Sequence, residues 1–248
     1  IASLRAARSS GEITRLIKDL KPSTAKEFTI CLSAYGRVRD WMSAIALLET
    51  LLTDDNLRLD VCQPLLRHYS QTSPDDVARI YEAELSVLDD PYERAERFQR
   101  LGEVQRGSLS SPVEAFESYA AAFALTPEDF ELTTILEELA QTATLHTRLA
   151  QVYEAQADRR DGDQVTTGLN RKLGQLYETE IPKPELAIER WSRVLEMQRF
   201  DEEALGALDR LYTGAARWSE LKDTLRHRMD LVEGGTALDL RCRLGRLV

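Results

Sequence analysis

The segment LGQLYETEIPKPELAIERW, residues 173–191, has a counterpart earlier in the same chain, where residues 101–119 read LGEVQRGSLSSPVEAFESY. The pairing extends well beyond these lines. Shifted by 72 positions, residues 101–149 fall on 173–221 without a gap. Leu101/Leu173, Gly102/Gly174, Pro112/Pro184, Ala115/Ala187, Asp129/Asp201 and Leu149/Leu221 are identical pairs. Phe116/Ile188 and Tyr119/Trp191 are conservative ones, and Leu244-Gly245 opens a third copy one residue early. Self-similarity at such a period marks stacked supersecondary units, each too small to bury its apolar face alone.

Within the unit, apolar residues recur at helical spacing. Ala187, Trp191, Val194 and Leu195 make one stripe, while Glu189, Arg190 and Arg193 face elsewhere. Prolines mark helix starts in SPDD (73–76), DPYE (90–93), SPVE (111–114) and TPED (126–129). Each has a Ser, Thr or Asp to cap orphan N–H groups, a Pro that needs no N–H, and an acid at the positive end of the helix dipole. Short turns between such helices give antiparallel hairpins, two per period. The pattern predicts helices over 11–20, 24–36, 41–53, 58–71, 74–88, 91–106, 112–124, 128–141, 145–159, 164–179, 184–197, 202–213, 217–232 and 236–248. Pro64 conflicts with one of them, unless it sits in a first turn or the helix starts later. No segment alternates with a period of two, so the expected class is all-α.

These residues resemble the tetratricopeptide repeat, a 34-residue helix hairpin. Leu101, Gly102, Ala115, Tyr119, Ala122 and Pro127 match its pattern, as do Leu173, Gly174, Tyr177, Ala187 and Trp191. Both copies carry one extra residue in the turn. The hairpins at 128–159 and 202–232 are looser: Leu139 and Leu211 hold their position, but Ala140 and Tyr212 replace the glycine. Residues 35–52 also resemble this motif through Ala44, Leu48 and Leu51, and residues 24–52 resemble the related pentatricopeptide type. The resemblance implies an α-solenoid, a right-handed superhelix of hairpins with a concave, partner-binding groove. On this reading residues 1–72 form divergent N-terminal hairpins and 73–248 a double-hairpin array, in one continuous superhelix. Gly102 and Ala115 are expected where helices cross, with Tyr119 and Trp191 filling the wider gap on the other side.

Composition bounds the function. The 248 residues are 43% hydrophobic and 30% charged, as in a folded, water-compatible protein. No apolar run approaches the ~20 residues of a membrane span. The formal net charge is −10. Residues 1–72 hold ten basic and eight acidic side chains, and the remainder holds 22 and 34. Such acidity repels phosphate backbones and acidic membranes, so nucleic acid and membrane surfaces are poor partners. Cys31, Cys62 and Cys242 are odd in number, lack CxxC spacing, and read as reduced core residues of a cytoplasmic protein. A chain that starts on Ile1 and stops within a helical pattern reads as an excerpt.

Catalytic and metal signatures are missing from the sequence. His68, His146 and His227 stand alone, without HExxH spacing, and His146 reads as a packing residue at a hairpin turn. There is no GxSxG and no Walker-type GK[ST]. ADRRDGDQ (157–164) lacks the order of a calcium loop and reads as an inter-helix turn. The pairs Asp54-Asp55, Asp75-Asp76 and Asp89-Asp90 read as caps at helix junctions. No enzyme activity, cofactor or metal is expected.

The family resemblance instead points to the inner face of successive first helices. The corresponding residues are Gln99 and Glu103, Glu137 and Gln141, Arg171 and Gln175, and Asp209 and Thr213. They do not form the basic clamp with which some family members grip a terminal carboxylate. A mixed-to-acidic face suits a neutral or basic peptide or helix. The expected function is therefore a non-catalytic protein-binding scaffold. The alternatives are a recruiting region of a larger multidomain enzyme and an RNA-binding helical repeat. Self-association through an exposed last hairpin, with Leu240, Leu244 and Leu247 at its surface, is a further expectation.

Overall fold

The structure, a computed structural model, describes residues 10–17, 22–159, 164–231 and 235–246. Every regular element among them is a helix. In chain order these are α1 (Ser10–Ile17), α2 (Ala25–Val38), α3 (Trp41–Leu51), α4 (Arg58–Tyr69), α5 (Pro74–Leu85), α6 (Pro91–Gly107) and α7 (Pro112–Leu125). They are followed by α8 (Phe130–Ala143), α9 (His146–Ala157), α10 (Gln164–Thr179), α11 (Pro184–Met197), α12 (Glu202–Gly214), α13 (Trp218–Met229) and α14 (Gly235–Arg246). Predicted helical residues 18–20, 232, 247 and 248 lie outside the described residues, as do 160–163 of the presumed inter-helix turn.

Capping explains where helices begin. Ser73 accepts from the Asp76 N–H, and Asp90 accepts from those of Tyr92 and Glu93, each just before a proline at the first helical position. Two proline signals behave otherwise. Ser111 precedes Pro112 but makes no side-chain cap. Pro127 lies in a turn, and α8 starts at Phe130, where Asp129 accepts from Glu131 N–H. Its offset partner Asp201 also caps its helix, α12, through the N–H one position further on, that of Ala204, at 2.8 Å. The Asp54 pair also departs from expectation: Asp54 accepts from Asn56 in the preceding turn, and Leu57 opens α4 without a side-chain cap.

Pro64 does sit inside α4, at its seventh residue. The helix continues because Val61, Cys62 and Leu65 are fully buried on one side of it, so packing outweighs the lost hydrogen bond.

The helices form two compact units, one ending at Thr126 and one starting at Pro127. In each, the principal packing is between chain neighbours, as in a linear array. In the first unit one core gathers Phe28, Leu48, Val61, Leu65 and Ile80, and another gathers Ile13, Cys31, Tyr35 and Ala44. Helix α4 packs on α5 across residues 72 and 73. In the second unit Leu136, Tyr153, Leu173, Trp191 and Leu205 are all at most 1% exposed. Cys31 and Cys62 are buried as expected, but Cys242 is exposed, because α14 turns Ala237 and Leu240 inward instead, so Leu240 is not at the exposed surface expected of it.

The Leu-Gly pairs resolve into one contact made twice. A Cβ on Gly102 would lie 2.8 Å from the Tyr119 ring, and one on Gly174 would lie 2.6 Å from the Trp191 indole. The aromatic ring therefore rests directly on the glycine, not in a gap across the crossing as the sequence suggested. Ala115 and Ala187, both wholly buried, keep the second helix close enough for this. At Gly245 a Cβ would meet nothing within 4 Å.

Candidate functional site

In the second unit the first helices of the hairpins are α8, α10, α12 and α14, and polar bonds step from each to the next. Lys172 on α10 donates to Glu137 on α8 at 2.6 Å. Arg171 pairs with Asp201, the α12 cap, and lies 3.0 Å from Glu203. Gln175 donates to Glu203 at 2.7 Å, and Arg210 on α12 returns to Glu178 on α10 at 2.9 Å. Arg243 on α14 makes two bonds to Asp209 on α12, which also binds Arg228.

The second helices are tied similarly. Arg190 on α11, buried, reaches Glu154 on α9 and Asp158 just after it, both at 3.0 Å, and Arg193 joins Asp158 at 2.8 Å. Arg217, just before α13, reaches Glu185 on α11. Burial disfavours charge on Asp158, but Arg190 and Arg193 outweigh it and hold the carboxyl below its ordinary range. Burial works against the Arg190 guanidinium too, and its two acids more than offset that. Burial, and then its hydrogen bond to Glu154 at 2.8 Å, push the Tyr177 phenol up to about 12.

The eight residues singled out from the sequence occupy different situations. Gln141, Gln175 and Thr213 are exposed, and Glu137 and Arg171 are half-buried within the bonds just described. Asp209 is only 3% exposed, with its carboxylate between two arginines. Thr213 donates to the Asp209 carbonyl at 2.7 Å. In the first unit Gln99 is half-buried on α6, and Glu103, exposed, pairs with Arg100 at 3.2 Å.

Three of the eight come together around a polar notch of about 220 Å³ between α8 and α10. Glu137, Gln141 and Gln175 stand on its walls with Lys172, and Tyr153 closes its floor. The Tyr153 hydroxyl donates to Glu137 at 3.2 Å. Burial, and then the Glu137 carboxylate, push that phenol well above the usual tyrosine range, so it stays a neutral donor. His146 and Glu180 face each other at the mouth, 3.6 Å apart. His146 thus lines a cleft in addition to opening α9. Lys172, Tyr153 and Glu180 were not anticipated. Lys172 had a sequence signal in its neighbour Arg171, but Tyr153 and Glu180 enter only through the stacking of α9 and α10.

A larger cleft of about 410 Å³ lies at the start of α8 and α10, lined by Pro127, Phe130, Val165, Gly168 and Leu169 among others. Phe130 is 79% exposed there. Among the described residues no group of three or more His, Cys, Asp and Glu side chains is arranged to hold a metal ion. No described helix is long and apolar enough to cross a membrane.

No family model matches the chain, and no curated protein matches it significantly. Among solved structures it is similar to the MamA protein, at 17% identity and a TM-score of 0.39, over 69% of this chain and 90% of that one. It is also similar to the P58(IPK) TPR domain, at 14% identity and a TM-score of 0.34, over 96% of this chain and 73% of that one. Likenesses at this level carry nothing about what the chain binds.

Proposed function

We propose that the chain is a non-catalytic scaffold that holds a peptide or helix of a protein partner against the first helices of its hairpins. The observation that supports this most is the polar row on α8, α10 and α12. Lys172–Glu137, Gln175–Glu203 and Arg210–Glu178 link one first helix to the next, so the face is pre-organised before any partner arrives. Division of labour follows from exposure. Gln141, Gln175 and Thr213, with part of Glu137, meet the partner. Arg171 and Asp209 act by fixing the spacing of the helices. In the first unit Gln99 and Glu103 play the contact role on α6. Two carboxylates for each cation around Glu137, Glu180 and Lys172 favour a neutral or basic partner segment.

The test compares the chain with a variant carrying Gln141→Ala, Gln175→Ala and Thr213→Ala, both immobilised. A protein retained by the first and lost by the second, at unchanged helical circular dichroism, is the expected result. Equal retention by both would remove the first-helix face from consideration.

A further inference from the structure

The notch between α8 and α10 has an uneven hydrogen-bond inventory. Several of its donors are engaged within the chain, although Lys172 keeps further N–H groups and the Gln141 amide also lines the space. Lys172 Nζ and the Tyr153 hydroxyl both donate to Glu137 Oε1, at 2.6 and 3.2 Å. The Gln175 amide donates to Glu203 at 2.7 Å, and the Thr179 hydroxyl to the Gln175 carbonyl at 3.0 Å. The acceptors are left over: the second oxygen of Glu137, the Gln175 side-chain oxygen, and Glu180, whose side chain is 43% exposed at the mouth beside His146. Lys172 neutralises Glu137, so the carboxylate of Glu180 sets the sign of the notch. With Glu137 and Glu180 against the single cation Lys172, a group that brings donors and positive charge is favoured here. The floor, where Leu149, Leu176 and the Tyr153 ring lie, is apolar enough to take an alkyl stem. At about 220 Å³ the space is smaller than the ~300–1,000 Å³ of small-molecule pockets and suits a single side chain.

We propose that this notch is an anchor site for one arginine-type side chain of the partner. Its guanidinium is held by Glu180, Glu137 and the Gln175 oxygen, and its stem lies over Tyr153 and Leu176. The inference rests on the first-helix face being the partner surface and specifies what that surface selects.

The experiment needs no partner. The whole chain, isotope-labelled, is titrated with N-acetyl-arginine N-methylamide and, separately, with the glutamine and glutamate analogues. The expected result is saturable shifts of backbone amides around 137–141 and 175–180 with the arginine compound. These should be several-fold weaker with glutamine and absent with glutamate. Glu180→Gln, at an exposed position, should weaken the arginine compound about fivefold with helical circular dichroism unchanged. Equal binding of the glutamine or glutamate analogue, an unchanged Glu180→Gln titration, or no saturable shift would each overturn the proposal. If the arginine compound fails while the triple alanine variant still loses its retained protein, only the anchor is lost. The reverse pattern leaves the notch and removes the scaffold reading.

Discussion

Glycine plays opposite parts at two positions six residues apart in α10. At Gly174 the hydrogen makes room for an indole, and a methyl group would drive into it at 2.6 Å. Gly174→Ala should therefore destabilise the second unit by ~1–3 kcal/mol, the cost of overpacking, despite alanine's better helix propensity. At Gly168 a Cβ meets nothing within 4 Å. Gly168→Ala should stabilise by ~0.5–1 kcal/mol, because only the entropy of the unfolded chain changes. Urea denaturation of both variants tests the pair, and a shared sign would refute the contact geometry. Asp158 carries the pH prediction. Its folded-state pKa lies below the ordinary 3.8, so its share of stability is present at neutral pH and fades as pH falls through the carboxylate range. Asp158→Asn should lower the melting temperature at neutral pH, and the gap to the parent should close in acid.

Helix boundaries separate what the chain announces locally from what it does not. Starts were legible where a capping side chain and a proline adjoin, as at Ser73-Pro74 and Asp90-Pro91, because both devices act within one turn. Thr126-Pro127 misled by the same logic, since the real cap is Asp129. The repeat did contain the correction, for Asp129 and Asp201 are an identical pair and cap α8 and α12. Asp129→Ala should cost ~1 kcal/mol of stability by thermal melting, and Thr126→Ala much less. The polar row was illegible for a different reason. Lys172 and Glu137 lie 35 residues apart, and no local rule joins them. The residues of the face could be named from helix periodicity, but their partners depend on how one hairpin rests on the next. Asp209 shows this most clearly: its register put it beside Thr213, while Arg228 and Arg243 draw it inward.

For the whole chain, neighbour-to-neighbour packing makes stability a sum over adjacent interfaces. A core defect should then be felt locally. Leu205→Ala removes a fully buried side chain from α12 and should cost ~2–5 kcal/mol. Amide exchange should quicken across the second unit while Val61 and Leu65 in α4 keep their protection. Uniform loss of protection throughout the chain would show a single cooperative block instead.

The stacking of Trp191 on Gly174 also equips the molecule with a built-in optical gauge. Of the three tryptophans, Trp191 alone is sealed from water, at 1% exposure, whereas Trp41 and Trp218 are 57% and 48% exposed. The blue edge of the intrinsic emission therefore belongs to one indole at one helix crossing. As the second unit loosens, that edge should fade first, letting its opening be followed by light without any label.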